Sequence, residues 1–275
     1  MPAPSAAPPD FMAEIGSRTD ARLAALLDAD RRRWAAVDPD LVAPLESLHR
    51  LLRSGGKRLR PVFCHWAFVG LGGDPDDPQV VDGGAALEML HTFAVIHDDV
   101  MDASARRHGE ETIHTEFAAL HRGRGWRGED RRFGEGVAIL TGDLAFVNSD
   151  MLLRGAPRAA WDIFDELRLE VNVGQYLDVL GAARGDASPG LAARICRYKS
   201  AKYTVERPLH LGVALAAPEL AAGRAGRRGG RGRGGRGRGA GRLQRLRSAP
   251  RRGVPAPGRH PRHLRRPRGD RQGGG

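Results

Sequence analysis

Apolar residues recur every three to four positions through most of the first 217 residues, the period of helices that bury one face. From Phe11 to Val37, Leu23, Leu26 and Leu27 share a stripe while arginines and aspartates take the other side. Asp38-Pro39 breaks that run. Leu41 to Leu52 predicts a second helix ended by Ser54-Gly55-Gly56, and Pro61 to Leu71 a third closed by Gly72-Gly73. After an acidic loop from Asp74 to Pro78, Val80 to about Ala105 predicts one long helix. A short helix over Ile113 to His121 precedes a polar Gly/Arg loop, His121 to Arg132. Gly136 to Leu153 is apolar with Asp143 inside it, Trp161 to Leu180 is amphipathic, and Leu191 to Ala217 is the last segment with core character. Alternating β-branched runs bounded by hairpin turns are missing, so the pattern predicts an all-α helical bundle.

Composition changes abruptly after Ala222, where glycine and arginine replace aliphatic residues. Arg224 to Gly275 holds 18 arginines against one acid, Asp270. That segment carries +17 of a chain total of +11, which leaves residues 1–223 at −6 and gives the body no case for binding nucleic acid. The tail buries too little apolar surface to offset its conformational entropy and is predicted to be disordered. As an RNA-binding tail it lacks aromatic residues to stack on bases, and Pro255 to Arg268 lacks RGG spacing. The organisation expected is an arm at 1–10, a helical domain at 11–217 and a basic tail at 218–275. Cys64 and Cys196 are far apart and read as free thiols in a reducing cytosol. Pro2 to Pro9 lacks the order of a signal peptide, and no apolar run reaches the roughly 18 residues of a membrane span. A cytoplasmic protein is expected.

The candidate chemistry centres on Asp98, Asp99 and Asp102 in the run DDVMD, directly after the apolar stretch Leu87 to Val100. On a helix the three carboxylates crowd one patch and repel. Mg²⁺ takes oxygen ligands and often bridges carboxylates to substrate phosphates, which would relieve that repulsion. Arg106 lies four residues past Asp102, with Arg107 beside it. The pair reads either as an intrahelical salt bridge or as a grip on the same polyanion. Gly55-Gly56-Lys57-Arg58-Leu59-Arg60-Pro61 sets three cations at a helix start, unfavourable to the helix dipole unless an anion sits among them. His91 lies two turns below Asp98 on nearly the same face, and His97 reads as structural. Gln175 and Asp178 in Gly174-Gln-Tyr-Leu-Asp, and Lys199, Ser200, Lys202 and Thr204 further on, are polar positions on otherwise apolar helices.

In this order and at these distances, GGKRLRP, His91, DDVMD, Arg106-Arg107, GQYLD and the Lys199 segment resemble the trans-isoprenyl diphosphate synthases, the polyprenyl synthetase family, over roughly residues 45–217. The resemblance implies an isoprenoid-synthase-type helical bundle and condensation of an allylic diphosphate with isopentenyl diphosphate. It implies that Asp98 and Asp102 hold Mg²⁺ on the allylic diphosphate with Asp99 in support. Arg106 would contact that diphosphate, and Arg107 the isopentenyl diphosphate. Lys57, Arg60 and His91 match the isopentenyl diphosphate pocket, and Lys199, Ser200 and Gln175 the allylic site. Ser200 stands where many members have threonine, and His108-Gly-Glu-Glu-Thr departs from the usual Gly-x-Pro-Thr. Phe93, five residues before Asp98, would be the pocket floor that limits product length. That role comes from the resemblance, because helical projection sets Phe93 about 140° away from Asp98. A geranylgeranyl-type product is expected first and farnesyl next, from a protein that pairs as a homodimer if intact.

The family's second aspartate-rich motif, on a facing helix, has no counterpart here, since Glu219 and Asp270 are the only acids after Ala217. The C-terminal helices of the bundle are therefore expected to be missing, and with them half of the metal site and the activity of the chain as written. GC-favoured codons allow Val254 to Gln272 to read FQLRDDILGIFGDPAVTGK one nucleotide out of frame, so a frame slip near residues 218–230 is expected. Two other readings stand beside the synthase. One is a class I terpene cyclase, against which GGKRLRP and His91 argue. The other is a non-catalytic polyanion-binding protein acting through its Arg-rich tail.

Overall fold

The computed structural model describes residues 10–225; residues 1–9 of the expected arm and the Arg/Gly/Pro stretch at 226–275, where the frame-slipped motif is expected, lie outside the described residues. The chain runs α1 (Asp10–Ala35), a 3₁₀ turn (Pro39–Leu41), α2 (Val42–Arg53), α3 (Leu59–Val69) and α4 (Pro78–Met101). A two-stranded hairpin follows, β1 (Arg106–Arg107) with β2 (Glu110–Glu111), then α5 (Ile113–Arg124), α6 (Asp130–Leu152) and α7 (Arg158–Arg184). The described part closes with α8 (Pro189–Ile195), a π-helix (Cys196–Glu206), α9 (Arg207–Ala216) and α10 (Pro218–Ala225). The all-α expectation holds, with the hairpin as a small addition.

Helix α4 is the axis of the bundle and packs against α1, α3, α6 and α9. Its start is written locally: Asp77 accepts from the Gln79 N–H at 2.8 Å, and Pro78 follows in the first turn, where its missing N–H costs nothing. Leu87, Met89 and Leu90 are fully enclosed, with Leu48, Leu153 and Phe164 against the same core. Each such side chain contributes about 1.5–3 kcal/mol of burial. Close approach sets the packing of α9 on α3, where a Cβ on Gly212 would come within 2.1 Å of the Cys64 carbonyl oxygen.

A buried ion cluster ties the last elements to α7. Arg207 donates from Nε to Glu170 Oε2 and from Nη2 to Glu170 Oε1, each at 2.7 Å, and Lys202 also pairs with Glu170. Such groups are costly to bury unless mutually satisfied, so the cluster fixes how the π-helix and α9 seat on α7 more than it stabilises them.

Four boundaries differ from the pattern reading. Helix α4 ends at Met101 rather than near Ala105, because Asp102 caps it and Ala103 turns left-handed at φ 49°. The loop between α5 and α6 shrinks to residues 125–129. His121 is buried there, with Nε2 3.1 Å from the Arg127 carbonyl oxygen and its ring packed on Trp126 and Phe133. The single segment expected over Leu191 to Ala217 is α8, π-helix and α9 in succession. Finally, α10 lies within the first residues assigned to the tail. Among the described residues, no helix is long and apolar enough to cross a membrane.

Candidate active site

Three elements far apart in sequence meet at Asp98, in the last turn of α4. Asp98 Oδ1 accepts from Gln175 Nε2 of α7 at 2.7 Å and from Lys199 Nζ of the π-helix at 2.9 Å. Lys199 also donates to Asp178 Oδ2 at 2.7 Å, so one ammonium joins α4 to α7. Burial alone would lower the Lys199 ammonium, but its hydrogen bonds to Asp178 and Asp98 outweigh that and hold it above the ordinary lysine range. The approach depends on Gly174, where a Cβ would stand 2.7 Å from the Lys199 backbone nitrogen.

The three aspartates lie close together but in different surroundings. Asp99 is buried, and Arg107 Nε donates to both its oxygens, at 2.9 and 3.1 Å. The Arg107 Nη2 lies 2.7 Å from Asp99 Oδ1 and 3.6 Å from Asp98 Oδ2. That hydrogen bond to Asp99 holds the guanidinium above its usual range. Asp102, at the helix end, is exposed; burial of its carboxyl and then the charge of Asp98 raise it above the usual carboxylate range. Arg106 is not on the α4 ladder, since the helix has already ended; it is exposed in β1 and donates to the Gly109 carbonyl at 3.1 Å.

A second group lies two turns below, between α3, α4 and the π-helix. Arg60 in the first turn of α3 stacks its guanidinium over Tyr203, 4.5 Å from the ring centroid. Arg58, left-handed at φ 45°, donates to Glu88 Oε2 at 2.9 Å and to Asp20 at 2.8 Å. His91 packs on Tyr203 with ring centroids 6.0 Å apart. Burial, followed by the charges of Arg60, Arg107 and Arg58, pushes the His91 imidazole down to about 3. Lys57 and Ser200 are exposed. Phe93 faces α6, its ring 4.9 Å from Phe146 and 4.6 Å from His97. His97 Nε2 lies 3.1 Å from the Ile139 carbonyl oxygen, in keeping with a structural role.

Glu88 and Tyr203 were not among the predicted site residues, and Asp178 was named as a polar position without a role. Glu88 had a signal, a lone acid in the apolar stretch Ala85–Leu90, three residues before His91. Tyr203 had none, because its place depends on the π-helix.

Among the described residues, no three carboxylate, imidazole or thiolate side chains converge closely enough to hold a metal unaided. The donors nevertheless suit Mg²⁺, which commonly takes one or two protein carboxylates and completes its shell with phosphate oxygens and water. Asp98 and Asp102 are hard oxygen donors one turn apart, close enough that Asp98, after burial, helps to raise the Asp102 carboxyl.

Comparison with known proteins points the same way. The chain is 33% identical over 151 residues to a geranylgeranyl diphosphate synthase of Sulfolobus acidocaldarius, covering 52% of this chain and 40% of that one. It is 36% identical over 102 residues to a short chain isoprenyl diphosphate synthase of Methanothermobacter thermautotrophicus, covering 37% and 26%. The fold is similar to the crystal structure of geranylgeranyl pyrophosphate synthase from Corynebacterium glutamicum complexed with isoprenyl diphosphate and magnesium. That match has a TM-score of 0.70 and 32% identity, covering 76% of this chain and 62% of that one. The chain thus spans less than two thirds of the length of each of these proteins. Residues 44–228 match the family model of polyprenyl synthetase, and with that match over most of its length the chain belongs to the polyprenyl synthetase family.

Proposed function

We propose that this chain is built for the condensation of an allylic diphosphate with isopentenyl diphosphate to a short prenyl diphosphate, geranylgeranyl first and farnesyl next. The observation that carries this reading is the meeting of Asp98, Gln175 and Lys199 from α4, α7 and the π-helix, at 2.7 and 2.9 Å. An ammonium and an amide beside a carboxylate at a helix end form a place where a diphosphate and a divalent cation can share charge.

Asp98 and Asp102 would hold Mg²⁺, which when bound draws negative charge from the allylic diphosphate. Lys199 and Gln175 turn their donors to the same diphosphate and orient it. The allylic C–O bond then breaks, with the electron pair leaving on the diphosphate. The double bond of isopentenyl diphosphate, held through Lys57, Arg60 and Arg107, attacks the allylic carbon, and a proton is lost from the adduct. His91, pushed down to about 3, stays neutral and contributes hydrogen bonding rather than charge. Phe93 and Phe146 supply apolar surface beneath the reacting carbons, where water would quench the cation. Electrostatic stabilisation and alignment provide the rate.

The second aspartate-rich motif that the family uses is supplied, on this reading, by the alternative frame over Val254 to Gln272. The test is incubation of labelled isopentenyl diphosphate, an allylic diphosphate and Mg²⁺ with the chain as written and with a frame-restored version. Elongated product from the restored version that is lost in Asp98→Asn is expected. Absence of elongation by both proteins would overturn the proposal. A hydrocarbon or alcohol formed without isopentenyl diphosphate would favour a cyclase.

A further inference from the structure

Among the described residues, four buried polar side-chain atoms have no hydrogen-bond partner, Arg60 Nε, Glu88 Oε1, His91 Nδ1 and Tyr203 Oη, and all four residues belong to the group between α3, α4 and the π-helix. Buried polar atoms are normally satisfied, so such a cluster is unusual. Arg60 is its centre. Its side chain is only 13% exposed, yet it makes no close fork with a carboxylate: Nη1 is 3.8 Å from Glu88 Oε1, and Nη2 reaches Thr204 Oγ1 at 3.4 Å. Glu88 spends its other oxygen on Arg58 at 2.9 Å. The Arg60 guanidinium carbon lies over the Tyr203 ring, 4.5 Å from its centroid.

A guanidinium held face-on by an aromatic ring keeps its in-plane N–H donors free. One held by a carboxylate fork has already committed two of its five N–H donors. We propose that Tyr203 is a positioning residue, whose ring fixes the Arg60 guanidinium in the plane that presents its unspent donors to the diphosphate of isopentenyl diphosphate. The inference rests on the assignment of Arg60 to that diphosphate under Proposed function. The ring, not the hydroxyl, does this: the Tyr203 hydroxyl is unpartnered, and burial holds its phenol well above the ordinary range.

The experiment measures binding of isopentenyl diphosphate, and of inorganic diphosphate as a headgroup probe, to the full chain by calorimetry. It compares wild type with Tyr203→Phe, Tyr203→Leu, Arg60→Ala and the double variant Tyr203→Leu/Arg60→Ala. Tyr203→Phe keeps the ring and is expected to bind like wild type. Tyr203→Leu loses the cation–π support and is expected to bind both ligands roughly 5- to 30-fold more weakly. In the Arg60→Ala background the same change is expected to cost nothing further, because its effect runs through Arg60. A Tyr203→Leu loss of equal size in both backgrounds would mean a purely structural role and overturn the inference, as would a Tyr203→Phe loss matching Tyr203→Leu. Normal binding by Arg60→Ala would instead remove Arg60 from the diphosphate site, a failure of the underlying reading that this series separates from the first.

Discussion

The Lys199 ammonium sits between two carboxylates, 2.9 Å from Asp98 and 2.7 Å from Asp178, and so occupies a position of cationic charge beside DDVMD. Lys199→Met removes that charge and leaves Asp98, Asp178 and Asp102 facing one another. Because these groups are partly solvated, the stability loss is expected to be modest, about 1 kcal/mol or less, and to shrink at high salt. Thermal unfolding of both proteins at low and high ionic strength checks this; a salt-independent loss would point to packing by the lysine stem instead.

His91 gives the fold a defined pH response. Its imidazole is ordinary, near 6.5, in the unfolded chain and pushed down to about 3 in the folded one. Between those values the unfolded state binds the extra proton, so this contribution is complete above about pH 6.5 and declines as the pH falls. From pH 7 to pH 5 the expected loss from this one group is about 2 kcal/mol. Urea unfolding of wild type and His91→Gln across that interval should give a flatter profile for the variant.

Gly174 couples packing to chemistry. Alanine there must push the π-helix away from α7, since its Cβ would meet the Lys199 nitrogen at 2.7 Å and the Tyr198 carbonyl carbon at 3.1 Å. A destabilisation of roughly 1–3 kcal/mol is expected, as for other overpacked contacts. Diphosphate binding should weaken as Lys199 and Gln175 lose register with Asp98. Calorimetric binding that survives intact in Gly174→Ala would show that the site tolerates the shift.

Phe93 stacks between His97 and Phe146 at 4.6 and 4.9 Å, which gives it a fixed place on the α6 side of α4. Phe93→Ala is expected to lengthen the prenyl products of the frame-restored protein. Chromatography of the dephosphorylated products is the check, and an unchanged length would take Phe93 out of that role.

Nucleotide sequencing across codons 215–235 is expected to reveal a slip that puts FQLRDDILGIFGDPAVTGK back in frame. A continuous frame confirmed on independent DNA would make the basic tail genuine.

The helices were legible because their signals are local. Apolar stripes, Asp38-Pro39 after α1, Ser54-Gly55-Gly56 after α2 and Gly72-Gly73 after α3 are all signals carried by a few neighbouring residues. The site was legible as a set of residue types, although not as an arrangement. DDVMD reads as three crowded carboxylates with no protein partner assigned, yet Arg107 claims Asp99 and Lys199 claims Asp98. The end of α4 was hidden because Ala103, rather than glycine, takes the left-handed turn. His121 and Trp126 were hidden among arginines that suggested a solvated loop. The π-helix has no local signature in CRYKSAKYTVE; its wide turns follow from contacts with α7, which only the tertiary fold supplies.

Those wide turns make residues 196–206 intolerant of changes in length. Deleting one residue would swing α9 about its axis by somewhat less than the roughly 100° per residue of an α-helix, carrying Arg207 off Glu170 and turning Leu211 out toward water. The same deletion between Gly185 and Ser188 would be absorbed by the loop. Insertion scanning should therefore find a short forbidden zone in the middle of a helix and a permissive one just ahead of it, the reverse of what residue chemistry alone would suggest.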